Sequence, residues 1–210
     1  MMNGIKLHKN NKAFSLIELM VSIAIFGIIV SLIVNEYYRQ QESQVTQTQI
    51  VQMQQNIRAA LIIMTRDIQM AGFDPEILNT AGIVNAGDGS NGNPLTFTYS
   101  VSDDGLDNDG DGVIDQSGEF QTIQYSLYDA YGDGDMDIGR TIGAQLQPIA
   151  ENIQNLQFTY LDVNGNVLAP VVISDIRAVQ VSITATTDIR ELRRAEDNRT
   201  ITAIIRFRNL

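Results

Sequence analysis

Hydrophobic and polar positions change period three times along the chain. From Phe14 to Val34 apolar residues follow one another with a single charge, Glu18. As a helix that run spans roughly 30 Å, the thickness of a bilayer's hydrocarbon core. From Asn35 the chain turns polar ("NEYYRQQESQVTQTQ") but holds no Pro or Gly, so the helix is expected to continue. Apolar positions then return at Ile50, Met53, Ile57, Leu61, Met64, Ile68 and Ala71. Steps of three and four mark one face of an amphipathic helix. Gly72 and Pro75 supply its C-terminal stop. The pattern predicts one helix over 14–71, with Gly27 as the point where it would most easily unwind. Its second half is expected to dock on a sheet, a partner helix being the alternative.

Beyond Pro75 the period shortens to two. The runs "PLTFTYSV" (94–101), "FQTIQYSLY" (120–128), "IQNLQFTYLDV" (153–163), "IRAVQVSITATT" (176–187) and "TITAIIRFRNL" (200–210) alternate apolar and polar residues and are rich in Val, Ile, Thr, Tyr and Phe. These read as strands. Asn164-Gly165 is a hairpin turn signal. "NAGDGSNGNP" (85–94) and "DIRELRRAEDNRT" (188–200) read as loops, the latter as a solvated hairpin connection. The fold class is α+β: a long N-terminal helix, with a transmembrane half and an amphipathic half, packed on an antiparallel β-sheet head.

Charge changes this picture at its N-terminal end. All three lysines (Lys6, Lys9, Lys12) and the single histidine, His8, precede residue 13. The rest of the chain sets 11 arginines against 25 acids. Such a surface repels nucleic acid and anionic lipid, so no nucleic-acid partner is expected. A short basic segment ahead of an apolar run stays on the cytoplasmic side, which sends the C-terminal bulk outward. No small-residue cleavage site of the ordinary secretory kind follows the apolar run. Neither a secretory signal nor a plain anchor explains Glu18.

"KAFSLIELMVSIAIFGIIVSLIV" (12–34) resembles the N-terminal signal of type IV pilins and type II secretion pseudopilins. In that family a basic leader is removed on the cytoplasmic face, just before the apolar run. The new first residue, usually Phe, is N-methylated, and an acid stands at its fifth position. The resemblance places the cut between Ala13 and Phe14, with Glu18 as the family's acid. Ala13 stands where the family usually has Gly, and Asn35 where major pilins often have Pro. The free amine made at Phe14 is then expected to meet Glu18 of a neighbouring subunit, each charge offsetting the other's desolvation. "MTRDIQMAGFDP" (64–75) is similar to the end of the long helix in PilW-type minor pilins and J-type pseudopilins. Arg66 and Asp67 there are expected at the surface or between helix and head. The implied organisation is a cleaved leader (1–13), a transmembrane and assembly helix (14–34), an amphipathic helix (35–72) and a β-rich head outside the cytoplasm (73–210). The implied partners are prepilin peptidase, other pilins through the N-terminal helix, and the inner membrane before assembly.

Within the head, residues 67–139 hold 15 acids and no Lys or Arg. "DDGLDNDGDGVID" (103–115) contains six aspartates. Asp107, Asp109 and Asp111 occupy positions 1, 3 and 5 of an EF-hand-like loop, with Gly112 at the sharp turn. Val113 would offer its carbonyl, Asp115 stands at position 9, and Glu119 falls one residue late for the closing acid. Hard oxygen ligands in alternation suit Ca²⁺. Asp133, Asp135 and Asp137 form a weaker second candidate, which Asp129 could join. No enzyme is expected. Beyond the leader there is no His, Cys or Lys, and no P-loop or dinucleotide fingerprint occurs. The sequence thus reads as a PilW-type minor pilin. A J-type pseudopilin, or a calcium-dependent surface-binding module on a simple anchor, are the alternatives.

Overall fold

The computed structural model describes residues 15–75, 81–101, 105, 107, 112–114, 119–187 and 198–210. One helix, α1 (Leu16–Met70), runs unbroken through Gly27. The chain divides into two compact units, Met1–Thr46 and Gln47–Leu210. In the first unit, Leu16 to Val34 are exposed at every position. An 18-residue window there reaches a mean hydropathy of 2.7. That length and composition suffice to cross a membrane. Among the described residues this is the one helix that meets both conditions.

The second unit carries the rest of α1 and eight strands. These are β1 (Ile83–Asn85), β2 (Leu95–Ser100), β3 (Phe120–Tyr128), β4 (Asp137–Ile142), β5 (Gln145–Ala150), β6 (Ile153–Leu161), β7 (Ala178–Thr186) and β8 (Asn198–Arg206). Each of the five strand expectations finds its strand, and β1, β4 and β5 are additional. The strands form two antiparallel meanders, in the orders β1-β2-β3-β4-β5 and β6-β7-β8.

The apolar stripe of α1 does dock on the head. Met53, Ile57, Ala60, Leu61, Met64, Ile68 and Ala71 are buried in one cluster with Leu95, Phe97, Ile123 and Tyr125 of the larger sheet and Leu156, Phe158, Val179, Val181 and Ile183 of the smaller. Fully burying each large apolar side chain contributes about 1.5–3 kcal/mol. The stripe is therefore the main attachment of helix to sheets.

The helix ends where the sequence places the stop. Gly72 adopts φ +76°, and a side chain there would lie 2.6 Å from Leu210 Cδ2. The C-terminal residues close this end, because the Asn209 side-chain amide donates to the carbonyls of Gln69 (3.2 Å) and Ala71 (3.4 Å). Carbonyls left open by the last helical turn thus gain partners.

Candidate functional site

Glu18 begins α1. Its Oε2 accepts a hydrogen bond from the Ser15 backbone N–H at 3.0 Å. The Ser15 carbonyl receives the N–H groups of Glu18 (3.0 Å) and Leu19 (3.2 Å). This is the reach-back half of a capping box, Ser-x-x-Glu, which supplies a partner to a helix-start N–H. The sequence reading overlooked it, although "SLIE" states it. Within one chain, then, the acid is not idle: its negative charge sits at the positive end of the helix. Ala13 and Phe14 lie outside the described residues.

Of the acidic loop, Asp107, Val113 and Glu119 are described, whereas Asp109, Asp111 and Asp115 lie outside the described residues. Asp107 Oδ2 accepts from the Gly112 N–H at 2.8 Å. Gly112 adopts φ +94°. That bond runs from position 1 to position 6 of the EF-hand-like numbering. Glu119 follows the loop and leads into β3. Its carbonyl takes the Val101 N–H at 3.1 Å, closing the neck between β2 and β3. Its side chain is 0% exposed, and among the described residues neither carboxylate oxygen has a hydrogen-bond partner. A buried carboxylate left so is costly unless a cation or a proton compensates it.

The second acidic stretch is organised around Asp129, which the sequence offered as an added member of the set Asp133, Asp135 and Asp137. Asp129 accepts from the N–H groups of Gly132 (2.7 Å), Asp133 (3.2 Å) and Gly134 (3.0 Å). Gly134 has φ +91°, close to the value at Gly112. Asp129 to Gly134 therefore repeats the Asp107 to Gly112 arrangement. These N–H bonds, that of Gly134 foremost, hold the Asp129 carboxyl below its ordinary range. Asp137 is drawn out of the loop into β4, where it is 2% exposed and accepts from Ala130 N–H at 2.9 Å. Burial pushes its carboxyl above the ordinary range. Among the described residues, no three Asp, Glu or His side chains converge on one point suited to a metal ion.

A third cluster joins helix to sheet. Asp67 of α1 is buried, and its Oδ2 accepts from the Tyr125 hydroxyl of β3 and the Arg140 Nε of β4, each at 2.5 Å. Burial, then the hydrogen bond to Asp67, raises the Tyr125 hydroxyl far above its ordinary value. Burial opposes the charge of Arg140, but Asp67 more than offsets that and raises its pKa. A cavity of about 500 Å³ opens beside this ion pair.

With this geometry in view, comparison with known proteins bears on the N-terminal end. The family profile of the prokaryotic N-terminal methylation motif matches residues 8–34. The N-terminus of this chain is type IV pilin-like. The match covers the end of the basic segment from His8, Phe14, Glu18 and the exposed apolar half of α1, and leaves the head uncovered. No curated protein sequence matches the chain. This motif, with a helix long and apolar enough to cross a membrane, fits a membrane-anchored, pilin-like N-terminus.

Proposed function

We propose that the chain is a subunit of a type IV pilus, a minor pilin of the PilW type, matured by prepilin peptidase between Ala13 and Phe14. The observation that carries this is the methylation motif over 8–34 placed directly on a helix whose apolar half, Leu16 to Val34, is exposed at every position. A surface of that size stays in lipid until other apolar helices replace the lipid. Glu18 then pairs with the Phe14 amine of a neighbour, and the head faces outward. The chain is expected in the filaments sheared from the surface of cells that express it. Absence from filaments in cells that still make them would contradict the reading. A place in a secretion apparatus without one in pili would move the chain to the J-type pseudopilins.

The head of the proposed subunit binds Ca²⁺ between Asp107 and Glu119. Asp107 and the Val113 carbonyl are the described donors, joined by Asp109, Asp111 and Asp115. The carboxylate oxygens of buried Glu119, which find no hydrogen-bond partner among the described residues, support this fit. Extracellular calcium modules bind at about 10⁻⁴–10⁻³ M. Ca²⁺ at about 1 mM should then add roughly 0.4–1.4 kcal/mol, which is about 1–5 °C in melting temperature at this chain length. Scanning calorimetry of the full chain in detergent, in Ca²⁺ against chelator, reads the shift directly. Glu119→Gln should abolish the shift, and in chelator it should melt higher than wild type because a buried unpaired charge is gone. An equal melting temperature with and without Ca²⁺ would refute the site.

A further inference from the structure

The cavity beside the Asp67 ion pair is lined by Ile63, Arg66 and Met70 of α1, Tyr99 of β2, Arg140 of β4 and Ile149 of β5. Its shape and chemistry are particular. Arg140 sets its Nε on Asp67 and lies against the Tyr125 hydroxyl, with its guanidinium at the cavity wall. Arg66 is exposed on the same helical turn as Asp67. Ile63, Met70 and Ile149 make the walls apolar. Arg66 and Arg140 exceed by one charge the Asp67 that also lines the cavity, and guanidinium groups beside apolar walls favour a carboxylate, since a planar fork matches its two oxygens and the low-dielectric surface strengthens the attraction.

The same head presents the complement. The turn 129–137 bears Asp133 and Asp135 beside Tyr131 (63% exposed) and Met136 (40% exposed). Asp129 stiffens this turn by collecting three backbone N–H groups, so little order remains to be imposed on docking. It is an acidic, partly apolar knob. The strongly acidic surface elsewhere makes copies repel one another, so a local pair of arginines decides where one copy can approach another.

We propose that the cavity between α1 and strands β2, β4 and β5 receives the acidic turn 129–137 of a second copy of this chain. Asp133 or Asp135 meets Arg66 and Arg140, while Tyr131 and Met136 lie on Ile63, Met70 and Ile149. Knob and cavity are different surfaces of one molecule. Their contact is head-to-tail, and such a contact extends into open helical arrays unless its rotation closes a ring. The proposal rests on the filament reading and adds to it an interface between heads.

The native chain has no cysteine, which makes a crosslinking test clean. Two differently tagged full-length copies are produced together, one carrying Met70→Cys and the other Met136→Cys, and are oxidised in the membrane and in filaments. A mixed dimer is expected. Arg66→Glu in the first copy should lower its yield at least fivefold, and Asp133→Arg with Asp135→Arg in the second should restore it. No mixed dimer, dimers of only one variant with itself, or a yield indifferent to Arg66→Glu would each overturn the interface. Processing at Phe14 and recovery in sheared filaments are scored on the same samples. Their failure sinks the filament reading, whereas their success without the mixed dimer sinks only this interface.

Discussion

Replacing Glu18 by Gln should remove the chain from filaments, although the helix remains intact. Two roles of Glu18 predict different outcomes. As a capping-box residue it accepts the Ser15 N–H, and Gln performs that task nearly as well. As the partner of a neighbour's Phe14 amine it must carry a charge, and Gln has none. Removing one member of a buried ion pair costs about 3–5 kcal/mol, more than a hundredfold in an association equilibrium. Losing a cap costs about 1 kcal/mol. Glu18→Gln and Glu18→Ala should therefore be equally excluded, with the filament-borne fraction lowered at least tenfold. Immunoblotting of sheared filaments against whole cells measures it. Normal incorporation of Glu18→Gln beside failure of Glu18→Ala would assign the acid to capping alone.

Asp67→Ala should be the most destabilising single change in the head outside its apolar core. The substitution leaves the Arg140 guanidinium, 18% exposed, and the buried Tyr125 hydroxyl without their shared acceptor. Unpaired groups of that kind cost about 3 kcal/mol in sum. The expected readout is a melting temperature lower by roughly 5–10 °C for the full chain in detergent. Asp67→Leu combined with Arg140→Leu and Tyr125→Phe should recover most of the loss, because no buried charge or hydroxyl is then stranded. A melting temperature for Asp67→Ala within a degree of wild type would show that the apolar stripe alone fastens the helix.

How much of this was legible in the sequence follows from the length and regularity of each pattern. The stripe from Ile50 to Ala71 repeats over several turns, and Met53, Ile57, Leu61, Met64 and Ile68 are buried as it requires. Strands of nine residues, such as β3, β6 and β7, alternate long enough to be read. β1 has three residues and an irregular register, too short for a period. β5 carries Pro148, which is tolerated because the strand lies at a sheet edge. β4 opens on Asp137 and includes Gly139, so "DMDIG" reads as loop. A Cβ at Gly139 would lie 2.7 Å from the Tyr128 ring and 2.8 Å from Leu146, which explains why a glycine stands in a strand there. Asp67 showed the limit of pattern reading most plainly. It sits within the helical stripe, but its partners Tyr125 and Arg140 come from strands far along the chain, one of them unread. The acids of the two loops were legible by spacing, whereas the repeat of Asp107 to Gly112 in Asp129 to Gly134 emerged only from backbone hydrogen bonds.

A mature terminus at Phe14 underlies the whole interpretation, since without a free amine there Glu18 has no partner to meet. Mass spectrometry of the intact chain purified from its own membranes measures that terminus directly. Loss of residues 1–13 with one added methyl group on Phe14 is the predicted result. A chain that keeps Lys6, Lys9 and Lys12 in full-length form would contradict it, and would leave the apolar half of α1 as a simple membrane anchor.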